Sequence, residues 1–296
     1  METVLNPTVV SAARSYGGWQ QVYEHRSAVL DCSMRFGLYE PPELGKPRWV
    51  LYWLSGLTCT EQNFITKSGF QRWAAELGAI VVAPDTSPRG DRVADDPDRW
   101  DLGQGAGFYV NATEEPWARH YRMYDYVLQD LPSAIASILP GVEELPTAIA
   151  GHSMGGLGAL VLGLRNPGRY RSISAFSPIV NPSQVPWGQG AFGHYLGSKY
   201  DAWRAYDPTA LIQDYGPRTG RDPQGEPPIL IDQGTADGFL GQQLQPEVFR
   251  DACQAVGYPV TLRLQPDYDH SYYFVATFLG DHFAHHAAHC TGDRAI

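Results

Sequence analysis

The sequence predicts an α/β fold: a mostly parallel central sheet with an antiparallel hairpin at its N-terminal end, helices on both faces and a short cap insertion. Two observations carry this. Six short apolar runs, of the kind expected for strands covered on both faces, alternate with stretches of helical periodicity. Such a βαβ rhythm implies parallel strands joined by crossover helices. No repeat or low-complexity block interrupts the 296 residues, so residues 1–296 read as one domain.

From the N-terminus, Gln20–Arg26 and Ala28–Leu38 alternate polar and apolar residues around a short turn, which predicts the antiparallel pair. Trp49–Leu54 (WVLYWL) is the first continuous apolar strand. A helix is expected over Ser68–Leu77, stopped by Gly78, and then a strand over Ala79–Ala83. The Gly/Pro/Asp-rich stretch from Pro84 to Trp117 is too long for a plain connection and reads as an ordered loop over a site. Tyr121–Leu139 is the next helix. Strand Thr147–Ala150, helix Gly155–Leu164 and strand Ser172–Phe176 continue the rhythm, which the insertion at about 181–215 breaks; it is expected to lie above the sheet as a cap. Strand Ile229–Asp232, helix Gln245–Val256, strand Val260–Leu264 and helix Tyr272–His289 resume it.

With 43% hydrophobic and 18% charged residues, the chain has ample material for a packed core. Its net charge of −10 opposes nucleic-acid and anionic-membrane partners, because both need clustered cations to displace counterions. An anionic small substrate would have to be held by local cations, at a cost that salt keeps modest. No stretch offers the ~18 uninterrupted apolar residues of a membrane span. The N-terminus, METVLNPTVVSAARSYGG, lacks the charged start and apolar stretch of a secretory signal, so a cytoplasmic location is expected. Cys32, Cys59, Cys253 and Cys290 form no C-x-x-C pair and read as free thiols.

The chemistry is carried by Gly151-His152-Ser153-Met154-Gly155, which fits G-x-S-x-G. An apolar strand (TAIA) leads into it and a Gly/Ala/Leu helix leaves it, the context of the nucleophile elbow in α/β-hydrolase folds. Such a turn holds the serine in a strained backbone conformation, and glycine-sized neighbours let strand and helix approach. A serine hydroxyl is a poor nucleophile at neutral pH unless a base removes its proton, so a carboxylate and a histidine are expected downstream, in the order Ser, Asp, His. His270 lies six residues past Val260–Leu264, on a loop at the carboxyl edge of the sheet. His152, inside the elbow, is expected to point elsewhere, and His282, His285, His286 and His289 fall in the terminal helix. Asp237, a short loop after Ile229–Asp232 and 33 residues before His270, is the expected acid. Asp232 at the strand end is its main rival, and Asp269 adjoins the histidine. Two amides should hold the oxyanion: Met154 N–H, next after the nucleophile, and Leu57 N–H in the loop Ser55–Thr60. Cys59 would then stand near the site without being the nucleophile, or be a buried inert thiol.

Weaker signals point to no further group. Gly103-x-Gly105-x-Gly107 follows no strand and lacks the Lys-Ser/Thr of a phosphate loop, so it reads as a flexible turn. The four histidines of the last helix read as a solvated face, and no metal is expected. Trp187 is a candidate for the substrate pocket or for packing the cap onto the body.

At these residues the chain resembles the S-formylglutathione hydrolase (esterase D) family from about Tyr23 to His289. The likeness rests on LSGLTCTEQNF (Leu54–Phe64), APDTSPRG (Ala83–Gly90), GAGFYVNATEEPW (Gly105–Trp117), YRMYDYV (Tyr121–Val127), GHSMGG (Gly151–Gly156), IDQGTADGFL (Ile231–Leu240) and RLQPDYDHSYYF (Arg263–Phe274). The resemblance implies a cofactor-free cytosolic thioesterase, usually a homodimer, that cleaves a small glutathione thioester in formaldehyde detoxification, its triad falling on Ser153, Asp237 and His270. Lys67, Arg89 and Arg122 are basic residues near the matching segments. Met1–Gly18, Asp214–Pro227 and Thr291–Ile296 depart from the pattern.

Overall fold

The computed structural model describes residues 6–42, 49–216 and 226–292. Among them, nine strands form one sheet in the order β1-β2-β3-β5-β4-β6-β7-β8-β9. The N-terminal part is antiparallel: β1 (Thr8–Ser15), β2 (Gly18–Ser27) and β3 (Cys32–Glu40) meander, and β3 runs antiparallel to β5 (Ala79–Pro84). From there β4 (Trp49–Leu54), β6 (Thr147–His152), β7 (Ile173–Phe176), β8 (Ile229–Gly234) and β9 (Val260–Gln265) are parallel to their neighbours. The expected hairpin is therefore a three-stranded meander. Its first strand was invisible to periodicity because nearly every residue of β1 is exposed, so no apolar alternation marks it.

Strand β4 shows how the sheet divides two cores. Val50, Tyr52 and Leu54 pack on one side, while Trp49, Leu51 and Trp53 pack on the other, the period-2 alternation of a strand buried on both faces. The second side is covered by α1 (Glu61–Lys67), α2 (Gln71–Leu77) and α10 (Tyr272–Thr291). The first is covered by a helical segment made of α3 (Met123–Asp125), a π-helical turn over Tyr126–Asp130 and α4 (Leu131–Ile138), and by α5 (Met154–Arg165), α8 (Pro208–Tyr215) and α9 (Pro246–Val256). The 181–215 insertion holds α6 (Pro186–Leu196), α7 (Tyr200–Arg204) and α8. Helix α1 was not expected. It starts at a capping box in which Thr60 Oγ1 accepts from Gln62 N and Asn63 Oδ1 accepts from Thr60 N, and the sequence pattern T-x-x-N lacks the usual Glu or Gln. Gly78 ends α2 in the left-handed conformation (φ 65°), as anticipated.

The histidines of α10 correct the solvated-face reading. His282 and His286 are buried, one helical turn apart on the face toward the sheet. His286 sits between Ser172 Oγ and Ser174 Oγ, each at 2.8 Å, and His282 stacks on Phe176 with ring centroids 3.8 Å apart. Burial pushes both imidazoles down in pKa, so they are neutral packing elements at pH 7.

Asp232 anchors this layer. Its carboxylate accepts from Arg263 Nε at 2.6 Å and from Arg263 Nη2, from Gln265 Nε2 at 3.1 Å and from His282 Nε2 at 3.2 Å. Burial alone would raise its pKa, but the hydrogen bonds of His282 and Arg263 outweigh it and hold the carboxyl at about 2. Because the folded value lies below the ordinary one, the stabilisation is complete above the unfolded pKa and disappears as pH falls toward 2; it is worth roughly 2 kcal/mol. Urea unfolding of wild type and Asp232→Asn is expected to show a gap that narrows by about half between pH 6 and pH 3; a gap that does not change with pH contradicts this account.

Candidate active site

Ser153 stands between β6 and α5 with φ 58° and ψ −120°, an uncommon conformation for a residue with a Cβ. Its surroundings enforce it. Ser153 N donates to Phe176 O at 2.9 Å, and the carbonyl of Ser153 accepts from Leu157 N at 3.0 Å. Strand and helix meet so closely that a Cβ on Gly155 would come within 1.9 Å of Leu54 O, and one on Gly151 within 2.1 Å of Gly155 O. Both flanking residues of G-x-S-x-G are therefore glycine for lack of space, and α5 is left with its N-terminus directly behind the serine.

His270 and Asp237 come from the two loops after β9 and β8. His270 Nδ1 lies 2.6 Å from Asp237 Oδ2. Asp237 Oδ1 accepts from Phe239 N at 2.9 Å and its Oδ2 from Gln233 Nε2 at 3.2 Å. Burial raises the Asp237 carboxyl, but the hydrogen bond and charge of His270 win and hold it below the usual range. An acceptor on Nδ1 fixes that nitrogen as the N–H and leaves Nε2 free to take a proton. The rivals are placed otherwise: Asp232 is bound to Arg263, and Asp269 accepts from Ser271 N and Ser271 Oγ at the start of α10.

Ser153 and His270 line the same cavity, of about 720 Å³, which also takes in Leu57, Cys59 and Trp187. One expectation is corrected here. The His152 ring does not point elsewhere; it lines this cavity with its centroid 4.5 Å from that of His270. Burial, and then the charge of His270, push its pKa well down, so it is a neutral neighbour of the His270 ring.

The loop between β4 and α1 is brought to the serine by Gly56, where a Cβ would stand 3.0 Å from Ser153 Cβ. Leu57 follows it, and Met154 is the first residue of α5, whose amide has no acceptor in a preceding turn. Several bonds pin the loop. Tyr109 Oη donates to Ser55 O at 2.9 Å, Thr58 N to Gly105 O at 2.9 Å, and Cys59 O accepts from Thr86 Oγ1 at 2.6 Å and Arg89 Nη2 at 3.1 Å. Thr86, Arg89, Gly105 and Tyr109 all belong to the Pro84–Trp117 stretch, so the long loop does support the site. Cys59 is buried, and burial pushes its thiol up in pKa; it is protonated at neutral pH and not a ready nucleophile.

Packed aromatic rings make up part of the cavity lining. Trp187 packs edge-on against Trp100, with centroids 5.5 Å apart, and against Phe239 at 4.7 Å; Phe239 in turn meets the His270 ring at 5.1 Å. Trp187 N donates to Gln243 Oε1 at 3.0 Å, which ties α6 to the loop after Asp237. Trp100, Phe239, Asn63, Lys67 and Tyr273 line the cavity without having been singled out as pocket residues. Phe239 had a signal, two residues past the expected acid; Trp100 had only its place in a loop read as covering a site.

The family model described as "Putative esterase" matches residues 27–285. A solved S-formylglutathione hydrolase from Agrobacterium tumefaciens is 44% identical to this chain, with a TM-score of 0.89 over 96% of this chain and 99% of that one. Two more distant structures share the fold. An S-formylglutathione hydrolase from Staphylococcus aureus is 18% identical, with a TM-score of 0.68 over 90% of this chain and 98% of that one. A ferulic acid esterase is 18% identical, with a TM-score of 0.63 over 94% and 96%. With a serine at a strained elbow, an Asp-bound histidine on the same cavity and a family match across most of its length, this chain is a hydrolase that belongs to the esterase family.

Proposed function

We propose that this chain is a single-domain, cofactor-free serine thioesterase that hydrolyses S-formylglutathione to formate and glutathione. The observation that carries the reading is that His270, held at 2.6 Å by Asp237, lines the cavity that holds Ser153, in a chain 44% identical to a hydrolase of that thioester. Ser153, Asp237 and His270 are the catalytic residues, and the Leu57 and Met154 amides are the oxyanion donors. His270 Nε2 takes the Ser153 proton as Oγ attacks the formyl carbon. The negative oxygen rests on the two amides, the C–S bond breaks, and glutathione leaves as a thiol with the proton that His270 returns. Water then attacks the formyl-serine by the same path and releases formate. A thiol of pKa near ~8.5 leaves readily, so little acid assistance is required. The reading includes a cytoplasmic homodimer acting in formaldehyde detoxification, on the strength of the resemblance; no helix among the described residues is long and apolar enough to cross a membrane.

A formyl group is the smallest acyl group, and Leu57, Trp187 and Phe239 are apolar residues that line the cavity that holds Ser153. Each added methylene is expected to cost about 1–3 kcal/mol in the transition state unless the wall blocks it outright. Comparison of kcat/KM on S-formylglutathione, S-acetylglutathione and butyryl esters tests this: the order should be formyl, acetyl, butyryl. Faster cleavage of butyryl esters would instead identify a general short-chain carboxylesterase on the same triad.

A further inference from the structure

Among the described residues, the cavity in front of Ser153 is lined by one permanent cation, Lys67, and by no Asp or Glu. In a chain with 32 acidic and 22 basic residues this runs against the average surface. Lys67 is the last residue of α1 and is exposed. Among the described ion pairs none engages it, and its Nζ stands 5.9 Å from the ring centroid of Tyr272. The other basic residues near the matching segments are spent elsewhere: Arg89 on Asp85 and the Cys59 carbonyl, Arg122 on Asp125. Asn63 lies one helical turn before Lys67 and lines the same cavity. Its Oδ1 accepts from Thr60 N at 3.0 Å, which fixes the amide orientation and turns its NH2 group into the remaining donor.

We infer that Lys67 and Asn63 form the subsite for a carboxylate of the thiol half of the substrate, so that the leaving group supplies much of the selectivity; this rests on the thioester reading above. A compact ammonium with no ion-pair partner among the described residues, beside a fixed amide donor, suits a carboxylate that must bind and leave quickly. In a molecule of charge −10 an anionic substrate is repelled at long range, and a local cation at the mouth offsets that repulsion.

The test is kcat/KM for S-formylglutathione divided by that for neutral p-nitrophenyl acetate, in wild type and in Lys67→Glu, Lys67→Gln and Lys67→Arg. The ratio is expected to fall about tenfold in Lys67→Glu and less in Lys67→Gln, to recover in Lys67→Arg, and to change through KM rather than kcat. The S-formyl thioester of glutathione glycine monoethyl ester separates the two carboxylates: loss of the Lys67→Glu effect on it assigns the glycyl carboxylate, and persistence assigns the γ-glutamyl one. A ratio that stays within about twofold of wild type in both Lys67→Glu and Lys67→Gln overturns the subsite while leaving the thioesterase intact. Absence of S-formylglutathione turnover by wild type overturns the substrate reading and the subsite with it.

Discussion

Ser153→Ala is expected to lower kcat for the thioester by roughly 10⁵- to 10⁶-fold while leaving the fold and substrate binding in place. The side chain is small and the elbow is built from backbone contacts: Phe176 O, Leu157 N and the close approach of Gly155 to Leu54 do not involve the hydroxyl. What disappears is the atom that the proposed mechanism acylates. Cys59 lines the cavity, but burial keeps its thiol protonated. Single-turnover assays and labelling by a fluorophosphonate both read this out, with circular dichroism as the control for folding. Substantial residual turnover or labelling of the variant would remove Ser153 from the chemistry and leave the proposed mechanism without its first step.

The second large effect is expected for Asp237→Asn, about 10⁴-fold in kcat. An asparagine retains the shape but can present its NH2 group to Nδ1, which favours the tautomer with the proton on Nε2 and so blocks the nitrogen that must accept from serine. The sign of the pH dependence follows from the depressed Asp237 pKa. The proposed mechanism needs the ionised carboxylate, and a folded pKa below the ordinary value keeps it ionised as pH falls through the usual carboxylate range. Acid loss of kcat/KM in wild type should therefore not track a carboxylate of ordinary pKa. A wild-type profile that falls through an ordinary aspartate pKa would contradict the depressed Asp237 carboxyl, and an Asp237→Asn enzyme of near-normal rate would remove Asp237 from the proposed mechanism.

The elements legible in the sequence are those whose signal is local. WVLYWL reads as a doubly covered strand because its alternate residues face two separate cores, and TAIA-G-H-S-M-G reads as an elbow because its glycines are forced by the approach of strand and helix. Asp237 and His270 were legible through order along the chain and position at strand ends, a regularity of parallel sheets. Strand β1 was not, since a strand exposed along its length leaves no alternation, and α1 was hidden behind a cap with asparagine at its third position.

By itself the sequence determined the sheet's rhythm, the serine at the bend and the candidates for base and acid, because each depends on neighbours within a few residues. Tertiary structure decided which carboxylate meets the imidazole, that His152 flanks the His270 ring, that His282 and His286 belong to the core, and that Trp100 and Phe239 line the cavity together with a lysine that has no ion-pair partner among the described residues. Those outcomes depend on contacts between segments far apart in the chain, such as the 114 residues that separate Ser172 from His286. Burial and pairing there are properties of the assembled layers, which no periodicity along the chain encodes.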